Sequence, residues 1–121
     1  MTNWVIPAEF GQTHEPGTIA AARSQNENSA GGQFYLVDSE GAYSLDGSYT
    51  AFGKAYRGEI DGTGTSGVEV IDAISQIQCQ SMDGVCRDAS AQDPNAQKSV
   101  YPVTVVSVEL VDPDEPWYKF W

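Results

Sequence analysis

The chain has 121 residues, 40% hydrophobic and 19% charged, a composition that fits one globular core and excludes a disordered or low-complexity polymer. Seventeen acidic residues against six basic ones give a net charge of −11, and the six (Arg23, Lys54, Arg57, Arg87, Lys98, Lys119) form no stripe. Such a chain repels nucleic-acid phosphates and anionic membrane faces, so neither is an expected partner. No apolar run reaches membrane-helix length and residues 1–9 lack the regions of a secretion signal, so the expected location is cytoplasmic.

Short apolar runs punctuated by glycine predict strands over 19–22, 33–37, 49–52 and 101–111. In the last, Val106, Val108 and Leu110 alternate with Ser107 and Glu109, the pattern of a half-buried antiparallel strand. Asp46-Gly47 marks a tight turn ahead of the third strand. One segment has a helical period: Val70, Ile71, Ile74 and Ile77 make an apolar stripe that predicts an amphipathic helix over 68–77, with Glu69, Asp72 and Ser75 on its polar face.

Residues 78–99, rich in Ser, Asp, Gln and Asn, read as a surface insertion. It carries Cys79 and Cys86, whose C-x6-C spacing allows a small disulfide loop but is read first as two free, reduced thiols. The end of the chain, 112–121, is an acidic stretch closing on Trp117, Tyr118, Phe120 and Trp121, aromatics expected to cover apolar surface.

Three chemical motifs are weighed and set aside. Gly62-Thr63-Gly64-Thr65-Ser66-Gly67 matches G-x-G-x-x-G ahead of the helix, but no buried apolar strand precedes it, and it reads as a flexible loop. Glu59, Asp61 and Glu69 do not have the spacing of a calcium loop. His14, the single histidine, reads as a polar turn residue before Pro16-Gly17. No metal and no cofactor are expected.

The block Asn28-Ser29-Ala30-Gly31-Gly32-Gln33-Phe34-Tyr35-Leu36 resembles the cyclophilins, the peptidyl-prolyl cis-trans isomerase family. In the family's order follow 45–54 (Leu-Asp-Gly-Ser-Tyr-Thr-Ala-Phe-Gly-Lys), 67–74 (Gly-Val-Glu-Val-Ile-Asp-Ala-Ile) and the strand 103–110. Upstream, 6–10 and 17–23 are similar to the bacterial branch, in which a strand ending Ala-Arg precedes the Asn-Ser-Ala-Gly segment. The resemblance implies a mainly β fold, a partly complete antiparallel β-barrel with one amphipathic helix, spanning 1–111 with the insertion at 78–99 and a tail at 112–121.

It also implies a site for proline-containing peptides or proteins. Gln33 matches the glutamine that bonds substrate backbone, and Tyr35 falls where a phenylalanine usually walls the proline pocket. Leu45 matches the pocket leucine, Tyr49 the groove position that is histidine or tyrosine in relatives, and Ala22, Arg23 and Ser24 the segment flanking the groove. Ser44 or Tyr43 stands where tryptophan is common, which argues against strong cyclosporin binding.

The Phe-His-Arg segment that carries the family's catalytic arginine has no match in residues 1–22, which hold no Lys or Arg; Arg23 is a weak substitute donor. The expectation is therefore a prolyl isomerase weakened by the missing guanidinium. The alternatives are a noncatalytic module that binds proline peptides or pairs strands, and a structural subunit of a complex held through the aromatic tail; a second copy or a partner chain completing the barrel is a further expected partner.

Overall fold

The structure, a computed structural model, describes residues 4–87 and 92–110. These fall into two compact units that divide between Ile77 and Gln78. The aromatics of the 112–121 tail lie outside the described residues.

In the first unit the chain runs β1 (Thr18–Ala21), β2 (Phe34–Leu36), a 3-10 turn (Tyr43–Leu45), β3 (Ala51–Lys54), β4 (Arg57–Ile60), β5 (Thr63–Ser66) and α1 (Gly67–Ser75). β1 is the centre of a three-stranded antiparallel sheet, order β2-β1-β3, with Ala20 opposite Tyr35 on one side and Ala51 on the other. Between Ile19 and Ala20 the β3 register shifts by one residue, leaving Phe52 as the extra member of a bulge and largely exposed. The core around this sheet is built of small residues: Ala20, Ala21, Ala30, Val37, Ala51 and Ile71 are buried together with Thr18 and Thr50. No closed barrel forms among the described residues; the fold is mainly β, antiparallel, with one helix.

The first three strands and the helix fall where the apolar pattern puts them, within about two residues at each end. α1 starts at Gly67 because Ser66 caps it: the Ser66 hydroxyl accepts from Glu69 N–H at 3.1 Å and the Glu69 carboxylate accepts from Ser66 N–H at 2.9 Å. A bond from the Thr65 hydroxyl, and after it those from Ser66, hold the Glu69 carboxyl below its ordinary pKa. Ile71 turns to the core, and the next residue, half-buried Asp72, accepts from Ser39 N–H at 2.8 Å.

Three expectations are corrected. The segment 62–67 is not a flexible loop: Asp61 and Gly62, with φ of 52° and 79°, make the two-residue left-handed turn of a hairpin, and 63–66 is strand β5 paired along its length with β4. A strand here leaves no phosphate cradle. The segment 101–111 forms no strand among its described residues, and both sets of its alternating residues are exposed: Val105, Val106, Val108 and Leu110 all face solvent. Alternation encodes a half-buried strand only where a neighbour supplies the ladder, and among the described residues no strand pairs with it.

The third correction concerns the cysteines. Cys79 and Cys86 are not free thiols but form a disulfide, with Cα atoms 5.0 Å apart. Around it the second unit is laced by backbone bonds, Gln80 N–H to Lys98 O and Val100 N–H to Gln78 O, each 2.7 Å. Cys79 and Ala96 are buried within it, and Arg87 grips Asp83 with two guanidinium nitrogens. That grip holds the Asp83 carboxyl far below the usual range.

Candidate functional site

β2 alternates exposed Phe34, half-buried Tyr35 and exposed Leu36, so Tyr35 alone of the three turns inward. Its hydroxyl lies 2.9 Å from Nε2 of His14, with the two rings stacked at 6.0 Å and 12°. His14 is not the turn residue its polarity suggests: it is fully buried, the largest such side chain among the described residues. Its Nδ1 lies 2.8 Å from Oδ1 of Asp46, which also accepts from the His14 backbone N–H at 2.7 Å. A carboxylate at Nδ1 puts the ring proton there, so in the neutral imidazole Nε2 accepts from the Tyr35 hydroxyl. Burial, and secondarily Tyr49, raise the Tyr35 pKa and keep the phenol protonated as a donor. The bonds from the His14 backbone and ring lower that of Asp46.

Asp46 sits in the turn that carries the next ring. With Asp46 at φ −58°, ψ 137° and Gly47 at φ 73°, the residues 45–48 have the angles of a type II turn, closed by Ser48 N–H donating to Leu45 O at 3.1 Å. Tyr49 follows, meeting Tyr35 edge-on at 5.9 Å. Over its face lies the Arg23 guanidinium, 4.6 Å from the ring centre.

All three guanidinium nitrogens of Arg23 donate to backbone carbonyls: Nε and Nη2 to Ser48 O at 2.8 and 2.6 Å, Nη1 to Ser24 and Gln25 O. The residues 22–24 continue β1 and are held against β2 by Ala22 N–H to Gln33 O at 3.0 Å. Ser24 is tied to Ser29 through its N–H and its hydroxyl. Gln33 is exposed.

The structure thus brings Arg23, Tyr35 and Tyr49 into one cluster, with Ala22, Ser24 and Gln33 on the adjoining strand ends. Leu45 is held through its backbone in the 3-10 turn, half-buried, one step outside the ring contacts. What sequence reasoning missed are His14 and Asp46. No motif marks a buried imidazole, although a histidine and an aspartate each near a glycine turn are a pairing that a fold can make.

Two hollows open among the described residues of this unit. One of about 300 Å³ opens between β2 and α1 and is lined by Phe34, Tyr35, Leu36, Ile71 and Ile74. Another, about 500 Å³, is lined by Thr13, Phe52 and Tyr56 and by the Lys54–Glu15 ion pair. No three His, Cys, Asp or Glu side chains gather into a metal-holding group among the described residues.

Comparison with known proteins places these residues in a family. Residues 2–109 match the family described as cyclophilin type peptidyl-prolyl cis-trans isomerase/CLD. The chain is 39% identical over 74 residues to a "Probable peptidyl-prolyl cis-trans isomerase" of Brucella abortus, covering 59% of this chain and 32% of that protein. To the "Peptidyl-prolyl cis-trans isomerase A" of Dickeya dadantii it is 35% identical over 75 residues, covering 62% of this chain and 37% of that protein. The chain spans about a third of the length of the curated relatives it matches. No solved structure matches it significantly. With the match extending over nearly the whole chain and through every element of the first unit, this protein belongs to the cyclophilin-type peptidyl-prolyl cis-trans isomerase family.

Proposed function

We propose that this chain binds proline-containing peptides at the Gln33, Tyr35 and Tyr49 surface and promotes isomerisation of their X-Pro bonds, more slowly than family members in general. The observation that carries the reading is the convergence of Tyr35, Tyr49 and Arg23 at family motif positions beside an exposed Gln33. An aromatic face accepts a pyrrolidine ring, and a glutamine amide can donate to and accept from a peptide backbone.

The slowness follows from the reaction. Twisting a prolyl amide crosses a barrier of about 18 to 20 kcal/mol set by resonance, and no bond breaks, so catalysis consists of favouring the twisted amide. A donor aimed at the prolyl nitrogen supplies that preference. Arg23, the cation of the cluster, has each nitrogen committed to a backbone carbonyl, so it serves better to hold the groove than to donate to substrate. Two-dimensional exchange NMR on an Ala-Pro peptide tests the proposal. Binding lost in Gln33→Ala and Tyr35→Ala, with measurable exchange in the unaltered chain, is expected; a chain that neither binds nor exchanges the peptide overturns it.

A second reading rests on the sheet edges. Among the described residues β2 and β3 each pair on one side only, and an unpaired edge is a site for strand addition by a second copy or a partner chain. A monomer at all concentrations in sedimentation, with no strand-adding peptide bound, overturns this reading.

Location belongs to the same proposal. No helix among the described residues is long and apolar enough to cross a membrane. A cytoplasmic protein keeps Cys79 and Cys86 reduced, whereas the bridged pair suits an oxidising compartment. Thiol labelling of the protein as it leaves cells decides between them.

A further inference from the structure

The Tyr35 hydroxyl has no part in the proline-binding role proposed above, which needs only a ring face, yet it is the group that the interior of the first unit engages. Three observations bear on it. His14 is fully buried and has a partner on each nitrogen, Asp46 at Nδ1 and Tyr35 at Nε2. Asp46 is fixed in turn by two bonds to the same histidine and stands three residues before Tyr49 in a turn whose angles glycine sets. Tyr49 closes the circuit by meeting the Tyr35 ring in a T-shaped contact and is covered by Arg23, which is anchored on Ser48 of that same turn. Tyr35 itself stands on a three-residue edge strand between two exposed residues, and its ring contacts are those to His14 and Tyr49.

We propose that His14 and Asp46 are positioning residues, which pin the Tyr35 ring through its hydroxyl to the 45–48 turn so that the Tyr35 and Tyr49 faces keep one geometry for the proline ring. This rests on the peptide-binding reading above. A surface whose two aromatic faces are pre-set loses less freedom on binding than one whose wall must first be ordered. The hydroxyl is thus a tether, and a phenylalanine here would have the face without the anchor.

The two ring nitrogens can be separated by substitution. Asparagine at 14 places its amide near the position of Nδ1 and can serve Asp46 but not reach Tyr35; glutamine places its amide near the position of Nε2 and reaches Tyr35. Peptide affinity is measured by NMR titration with an Ala-Pro tetrapeptide for the unaltered chain, Tyr35→Phe, His14→Asn and His14→Gln, with folding of each checked by amide spectra. Tyr35→Phe and His14→Asn are expected to weaken binding by a similar factor, several-fold, with the double variant no worse than either, and His14→Gln to recover most of the affinity. In the unaltered chain the His14 imidazole nitrogen resonances should report one tautomer and shift when peptide binds, although no peptide reaches the buried ring. Failure of the unaltered chain to bind overturns the functional reading and this one with it. Binding that Tyr35→Phe leaves unchanged, with His14 resonances indifferent to peptide, overturns the tether alone.

Discussion

The guanidinium of Arg23 lies 4.6 Å above the Tyr49 ring while its Nε and Nη2 both donate to the carbonyl of Ser48, the residue next to that tyrosine in the chain. One side chain from the end of β1 therefore clamps both the backbone and the ring of the turn leading into β3. The planar fork is what makes the double grip, and an ammonium cannot reproduce it.

Arg23→Ala is expected to lower stability by about 1.5 to 3 kcal/mol, the range for hydrogen bonds that involve a charged group. Arg23→Lys should recover less than half of the loss. Urea unfolding followed by fluorescence checks both; a lysine variant as stable as the parent would show that charge, not the fork, matters.

Acid should loosen the His14 site. The Asp46 carboxyl has its pKa lowered in the folded chain by the bonds from His14, so its contribution is complete above the ordinary aspartate range near pH 4 and is lost as pH falls below it. The melting temperature of the parent should fall through that window more steeply than that of Asp46→Asn, which has no carboxylate to protonate. Parallel profiles would show that the bonds to His14 do not distinguish the ionised form.

Reducing the Cys79–Cys86 bridge acts on the second unit. By the chain-entropy argument a loop this short is worth about 2 to 3 kcal/mol. Amide exchange at Gln80, Arg87 and Val100, whose N–H groups bond across this unit, should accelerate on reduction or in the Cys79→Ser, Cys86→Ser variant. Peptide affinity, which depends on residues before Ile77, should stay within about twofold, since surface changes away from a site usually count for a few tenths of a kcal/mol. A large loss of affinity would give the second unit a part in the site.

Two glycines of one hairpin-to-helix passage should respond in opposite ways. A Cβ on Gly67 would stand 2.7 Å from the carbonyl carbon and Cβ of Ala55, whereas one on Gly64 meets nothing within 4 Å. Gly67→Ala is expected to cost about 1 to 3 kcal/mol through overpacking against backbone that cannot yield. Gly64→Ala should be neutral or gain up to about 1 kcal/mol by stiffening the unfolded chain. Thermal unfolding of the two variants side by side makes the comparison.

What the sequence discloses follows how local each cause is. The apolar stripe of α1 and the runs in β1, β2 and β3 are legible because burial of one face writes itself into neighbouring residues. The β4–β5 hairpin is legible as well, in Asp61-Gly62, a dipeptide that suits two successive positive φ angles, although the glycines that follow it also match a loop. Pairing choices are the opposite case. Nothing near residue 105 records whether a strand lies beside it, so its alternation promised a ladder that the described residues do not supply. The spacing of Cys79 and Cys86 fits a bridge or two thiols equally well. The candidate site divides the same way: Gln33, Tyr35, Leu45 and Tyr49 are candidates through resemblance to family motifs, while His14 and Asp46, thirty-two residues apart, meet only in three dimensions.

The central place of β1 has a consequence for the order of assembly. β4, β5 and α1 are consecutive and can form by local closure, but β1 must recruit β2 and then β3, and the span from Ala20 to Ala51 is about twice that to Tyr35. Each doubling of a closed loop costs about 0.6 kcal/mol more in chain entropy, so β2 has the advantage and β3 arrives late. The 45–48 turn lies on the segment between them. His14, fully buried with Asp46 of that turn on one nitrogen and Tyr35 of β2 on the other, gains both partners only once the turn and β2 are in place, so its two hydrogen bonds join segments that come together at different times.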